Sequence, residues 1–172
     1  MTRLYVDATT VIALGAIGEL DLLLSFDGIV VVLPTIRAEV TAEPAKTNLD
    51  RVFEREGIQT TSSLTEADED RAMEVLGESD VNGDVRVIGA VLAHTAADES
   101  VAIVSDDRRL RTVARGLGAR VTGTVGVIVR AVEDGRSAED GKQLVRRVDD
   151  HGLHMTGELR EHADRLIEDA AR

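Results

Sequence analysis

Residues 101–111 read VAIVSDDRRLR, an apolar run that stops at two adjacent aspartates and continues as a basic, helix-like stretch. A short, uniformly apolar run bounded by charge reads as a strand covered on both faces, as in a parallel sheet. Asp106 and Asp107 therefore stand where a buried strand hands over to a helix, and that placement organises the reading of the rest.

The same succession repeats in both directions. Arg3–Val6 (RLYV) reads as a short first strand, followed by a helical pattern through VIALGAIGELDLLLSF that breaks near Gly15 or Gly18. IVVVL at 29–33 is a second all-apolar strand, closed by Pro34, which suits the first turn of a short helix through Val40. Helices are predicted at about 46–56 and 65–77, the latter opened by Thr65 with Asp68 as a capping box, and GIQTT at 57–61 as a small edge strand between them. A helix at about 83–95 leads into the strand at 101–105. A helix to about 116, the strand ARVTG at 119–123, and helices at about 124–133, 138–150 and 156–170 complete the chain. Such alternation predicts a three-layer α/β/α fold with a central parallel sheet of about 4–5 strands. A chain of 172 residues fits one domain over 1–172, with its core at about 3–133 and C-terminal helices at about 138–170.

Composition narrows the class. Apolar residues make up 43% and aromatics 2%, so Val, Leu, Ile and Ala must build the core. Cysteine is absent, which removes disulfides, thiolate nucleophiles and cysteine-based zinc sites. No signal-peptide pattern or membrane-length apolar run is present, so a cytoplasmic protein is expected. The net charge of -12 normally opposes nucleic-acid binding, yet the acids are spread along the chain and only two basic residues, Lys46 and Lys142, are lysines. That surface suits a halophilic, archaeal cytoplasm, where molar salt shortens the Debye length to about 3 Å.

Four acidic positions share a relation to the strands. Asp7 follows the first strand, Glu39 lies on the short helix after the second, and Asp106 and Asp107 end the third. Asp84 heads the helix feeding that third strand, on the stripe continued by Val87, Ile88 and Val91. Each has a plainer account: Asp7, Asp84 and the aspartate pair as helix caps or first-turn acids, Glu39 as a solvated side chain. Taken together they fall where open parallel sheets gather functional groups, outside the carboxyl ends of the strands. Carboxylates within about 4 Å repel by about 4 kcal/mol per pair at an effective dielectric of 20, several times what a cap contributes. Such a cluster calls for a cation, and oxygen-only ligands point to Mg²⁺ or Mn²⁺.

At these residues the chain resembles the PIN-domain ribonuclease family, including its VapC-like and stand-alone prokaryotic members. The resemblance is carried by VDATTVIALGAIGELDLL, IVVVLPTIRAEV, GDVRVIGAVLA and IVSDDRRLRTVARGLGARVTGTVGVIVRA, with LVRRVDDHGLHMTGELREHADRL similar to the closing helices of one subgroup. It implies a metal-dependent endoribonuclease that hydrolyses single-stranded RNA through metal-activated water, and for many members the role of toxin beside an antitoxin protein. By position it makes Asp7, Glu39, Asp84 and one of Asp106 or Asp107 the metal-site acids, Asp107 being the favoured one, with Thr9 as the neighbouring hydroxyl. Arg86, Arg108, Arg109 and Arg111 are candidate phosphate contacts, against the plainer reading of solvated helix arginines. A homodimer is expected from the apolar helices and family habit.

Other readings compete. A phosphatase or receiver domain wants a lysine near a later strand end, and Lys46 and Lys142 fall in predicted helices. GLGARV at 116–121 precedes a strand, so it ends a helix and does not bind a dinucleotide. GTVG at 123–126 either offers N–H groups to an anion or allows close helix packing. His151 and His154 have the spacing of a metal pair without a third ligand, and read as surface. The alternative from a different class is a non-catalytic PIN module that binds RNA or a protein partner.

Overall fold

The computed structural model of the chain describes residues 1–55, 57–60 and 63–172. Four parallel strands, β1 (Arg3–Val6), β2 (Ile29–Val31), β3 (Val101–Val104) and β4 (Arg120–Thr122), form one sheet in the order β2-β1-β3-β4. The helices are α1 (Ala8–Ala16), α2 (Pro34–Glu39), α3 (Ala45–Glu54), α4 (Glu66–Leu76), α5 (Gly83–Ala96), α6 (Arg108–Gly116), α7 (Thr124–Glu133), α8 (Ala138–Val148) and α9 (Gly157–Ala170). The predicted α/β architecture with an all-parallel central sheet is therefore the observed one, with four strands.

Burial explains the strands. All four residues of β3 are buried, as are Leu4, Tyr5 and Val6 of β1, so the two central strands carry the continuous apolar runs that helices on both faces demand. Helix α5 is buried at nine of its fourteen positions and packs on β3 and against α4 and α6, while α1, α3, α7, α8 and α9 pack among themselves. The first helical pattern breaks where Gly18 adopts φ +74°, and a 3₁₀ turn over Leu20–Ser25 follows. Gly118, at φ +97°, ends α6, as read from GLGARV. The capping box of Thr65 and Asp68 is formed.

Several boundaries differ from the reading of the sequence: the strand predicted over 29–33 ends at Val31, that over 119–123 spans Arg120–Thr122, and the helix predicted to about 150 ends at Val148. The edge strand predicted at GIQTT is a single bridge, Gln59 with Val31, because only the Gln59 N–H and C=O bond to the rim of β2, at 2.9 and 2.8 Å; Thr61 lies outside the described residues. The helix predicted over 46–56 ends at Glu54, and Glu56 lies outside the described residues.

The strand order places the topological switch between β1 and β3. The chain leaves β1 for β2 on one side and returns to β3 on the other, so the connections diverge and leave a crevice at the carboxyl ends of the central pair.

Candidate metal centre

Asp7 is the first residue past β1 and only 5% exposed. Its Oδ1 accepts from the Ala8 N–H at 2.8 Å and so caps α1, while its Oδ2 accepts from Thr9 Oγ1 at 3.0 Å and from Ser105 Oγ at 2.8 Å. A buried carboxylate is tolerable only with such bonds. Ser105, the fully buried residue after β3, therefore ties the two central strand ends together. The same oxygen accepts from the Asp107 N–H at 3.0 Å.

The paired aspartates have separate partners. Asp107 is exposed and caps α6, its Oδ1 accepting from the Leu110 N–H at 2.7 Å. Asp106 turns the other way and holds α7: Oδ1 accepts from the Thr124 N–H at 2.8 Å and Oδ2 from Thr124 Oγ1 at 2.5 Å. The anion at the N–H groups of the GTVG stretch is thus the side chain of Asp106.

Glu39 and Asp84 meet these groups from α2 and α5. Asn82 caps α5, its Oδ1 accepting from the Val85 N–H at 2.9 Å, which leaves Asp84 in the first turn without the cap's duties. Glu39 lies against Gly83: a Cβ there would come within 2.6 Å of Glu39 Oε1, so a glycine is what lets the glutamate approach the start of α5. Burial raises the pKa of Glu39 above the usual carboxylate range, and the charges of Asp7 and Asp84 add to it. Burial likewise raises Asp84, helped by Asp7, Asp107 and Glu78 and opposed by Arg109. Four acids from separate elements therefore act on one another electrostatically.

The approach stops short of contact. Among the described residues no three Asp, Glu, His or Cys side chains form a group able to hold a single ion, contrary to the tight convergence expected from the sequence. Asp7, Asp106 and Asp107 are each held by their own backbone or hydroxyl partners, which sets their side chains independently of one another. The donor set still suits a hard cation, being all oxygen: carboxylates, with hydroxyls beside them.

Two of the four candidate arginines are already engaged. Arg86 pairs with Glu69 at 3.0 Å and donates to Thr35 Oγ1 at 2.5 Å; Arg109 pairs with Glu78 at 2.9 Å and donates to the Leu76 carbonyl. Arg108 and Arg111 form no ion pair among the described residues. Ser105 was missed as a site residue because it looked like the last position of a strand; its one signal is a hydroxyl closing a run of four apolar residues.

A family model described as a PIN domain, DUF3368, matches residues 4–169. PIN domains are generally nucleases. No curated protein and no solved structure matches the chain significantly.

Proposed function

We propose that this chain, which belongs to the PIN-domain family, is a Mg²⁺- or Mn²⁺-dependent endoribonuclease acting on single-stranded RNA. What carries the reading is that Glu39 and Asp84, from separate helices beside the switch point of the sheet, both have raised pKa values, through burial first and then through the charge of Asp7 on each, with Asp107 adding at Asp84. Like charges gathered by four separate elements repel, a cost that the caps made by Asp7 and Asp107 do not remove at Glu39 and Asp84, and a divalent cation would relieve it.

Asp7, Glu39, Asp84 and Asp107 are the residues that would hold the ion, with Asp106 kept out by its bonds to Thr124. Bound there, the cation would lower the pKa of a water and offset charge on the phosphate. Thr9 and Ser105 hold the Asp7 carboxylate in one orientation. Arg108 and Arg111, at the start of α6, are the candidate contacts for the strand's phosphates. In this reading the partners are an RNA substrate and, if the protein is a toxin, an antitoxin; a homodimer and a cytoplasmic, high-salt setting accompany it.

One observation favours a second reading, a PIN module that binds RNA or protein without cutting it: the acids do not close into a three-carboxylate group among the described residues. Incubation with a pool of single-stranded RNAs at molar salt and Mn²⁺ separates the two. Cleavage that disappears in folded Asp7→Asn supports the enzyme; an intact pool supports the binding module. Arrest of growth on expression, relieved by the same substitution, supports a toxin.

A further inference from the structure

A second feature adjoins the acids. Between α8 and α9 the C-terminal tail makes a wide turn, Asp149–Leu153, that packs against α1. A cleft of about 400 Å³ opens between that turn and the start of α1, with Asp106, Asp107 and Thr9 at its acidic end. Ile12 and Ala13 form one wall and Leu153 the other.

The turn is a built element. Asp149 accepts from the Met155 N–H at 2.6 Å and pairs with Arg160 at 3.0 Å, while Met155 is buried beneath it. Gly152 sits at φ +117°, a conformation other side chains rarely adopt, and His154 follows at φ +50°. Two such residues within three, set against a charged crevice, commit the backbone to one course there. That course brings His151 into the cleft wall, with its Nδ1 2.8 Å from the Arg147 carbonyl oxygen. A carbonyl only accepts, so Nδ1 carries a proton, and whenever the ring is neutral its Nε2 is an acceptor.

The polar side chains of this cleft all accept. Asp106 and Asp107 are carboxylates, Nε2 of the neutral His151 ring offers a lone pair, and the Thr9 hydroxyl spends its proton on Asp7. Apolar walls suit a flat ring, and an acceptor-only rim repels phosphate but welcomes amino groups. We propose that the cleft is a base-recognition subsite that takes a nucleobase bearing an exocyclic amine (adenine, cytosine or guanine) next to the cut phosphate. His151 is its specificity-determining acceptor. Uracil, with carbonyl oxygens in those places, is disfavoured. This rests on the reading of the neighbouring acids as a single-stranded RNA site.

The full-length protein is tested at pH 8, where an ordinary imidazole is neutral, for binding of fluorescein-labelled RNA hexamers A6, C6 and U6 in EDTA, so that no cleavage intervenes. The expected result is binding of A6 and C6 about tenfold tighter than U6, the worth of one or two added hydrogen bonds. His151→Ala should remove most of that difference while leaving U6 binding unchanged. Ile12→Ser, at a position 38% exposed and hence safe for folding, should weaken all three by loss of the wall. Equal binding of the three hexamers by the wild type, or a preference unaltered in His151→Ala, overturns the subsite. Sequencing the ends released from random RNA with Mn²⁺ keeps the two claims apart. Cutting without base preference sinks the subsite alone, and base-selective binding without cutting sinks the nuclease alone.

Discussion

Two polar intrusions interrupt an otherwise aliphatic core, and they are built on opposite principles. Against α5, the Tyr5 hydroxyl lies 2.9 Å from His94 Nε2, and His94 Nδ1 lies 2.6 Å from Glu99 Oε2, with Tyr5 and His94 both buried. Burial keeps the proton on Tyr5, so the phenol donates to Nε2 and Nδ1–H donates to the carboxylate. Every donor there has an acceptor. At the end of the same strand, Asp7 and its neighbours gather charge of one sign. A satisfied network completes the fold, whereas the like charges at Asp7 are what the proposed cation would balance.

The largest expected effect separates the two by activity. Asp84→Asn should lower RNA cleavage by at least about a hundredfold, the usual cost of losing one electrostatic contact to a transition state, with far-UV circular dichroism unchanged. Tyr5→Phe should leave the rate per folded molecule as it was. The next effect reverses the roles. Tyr5→Phe leaves His94 Nε2 buried without a partner and should cost about 1–3 kcal/mol in urea unfolding. If Asp84→Asn costs as much, the acid crevice is structural and the contrast fails.

Between the adjacent aspartates a smaller difference is expected. Asp106→Ala removes both acceptors of Thr124 at the start of α7 and should cost about 1 kcal/mol of stability, typical of a lost cap, with the Mn²⁺ affinity of the folded protein retained. Asp107→Ala also loses a cap, at α6, and should lose Mn²⁺ affinity besides. Calorimetric titration of the two variants reads the distinction.

The smallest effect carries the most diagnostic sign. Glu39 and Asp84 hold their protons more tightly in the folded chain than in the unfolded one, so without a cation their ionisation opposes folding above the ordinary carboxylate range, and the cost fades as pH falls through their raised pKa values. Glu39→Gln should therefore raise the Tm in EDTA at pH 7, by about 2–4 °C per 1 kcal/mol of relieved repulsion. A structural carboxylate would give the opposite sign.

How far this was legible in the residues depends on the kind of signal. Strands such as VAIV and the caps at Asp7, Thr65 and Asp107 are local patterns, and the structure keeps them. Strand order follows from alternation and burial only in outline, and the lone bridge at Gln59 depends on how far α3 lets the chain approach β2. The candidate acids were legible because parallel sheets concentrate function at one edge. Their spacing was not, since it depends on hydroxyl partners such as Ser105 and Thr124, whose roles appear only when β3, α1 and α7 meet. His151 and His154 are exposed, as expected of a histidine pair without a third ligand, but HGLH carries no local mark of the cleft that His151 borders.

If the four acids hold a divalent cation, calorimetric titration of the metal-free protein with Mn²⁺ at pH 7 and at pH 5 reads it. The account predicts saturable binding at pH 7 that weakens at pH 5, as protons compete at Glu39 and Asp84, and that is lost in Asp84→Asn. Absence of saturable binding at pH 7, or binding indifferent to both pH and Asp84→Asn, would contradict it.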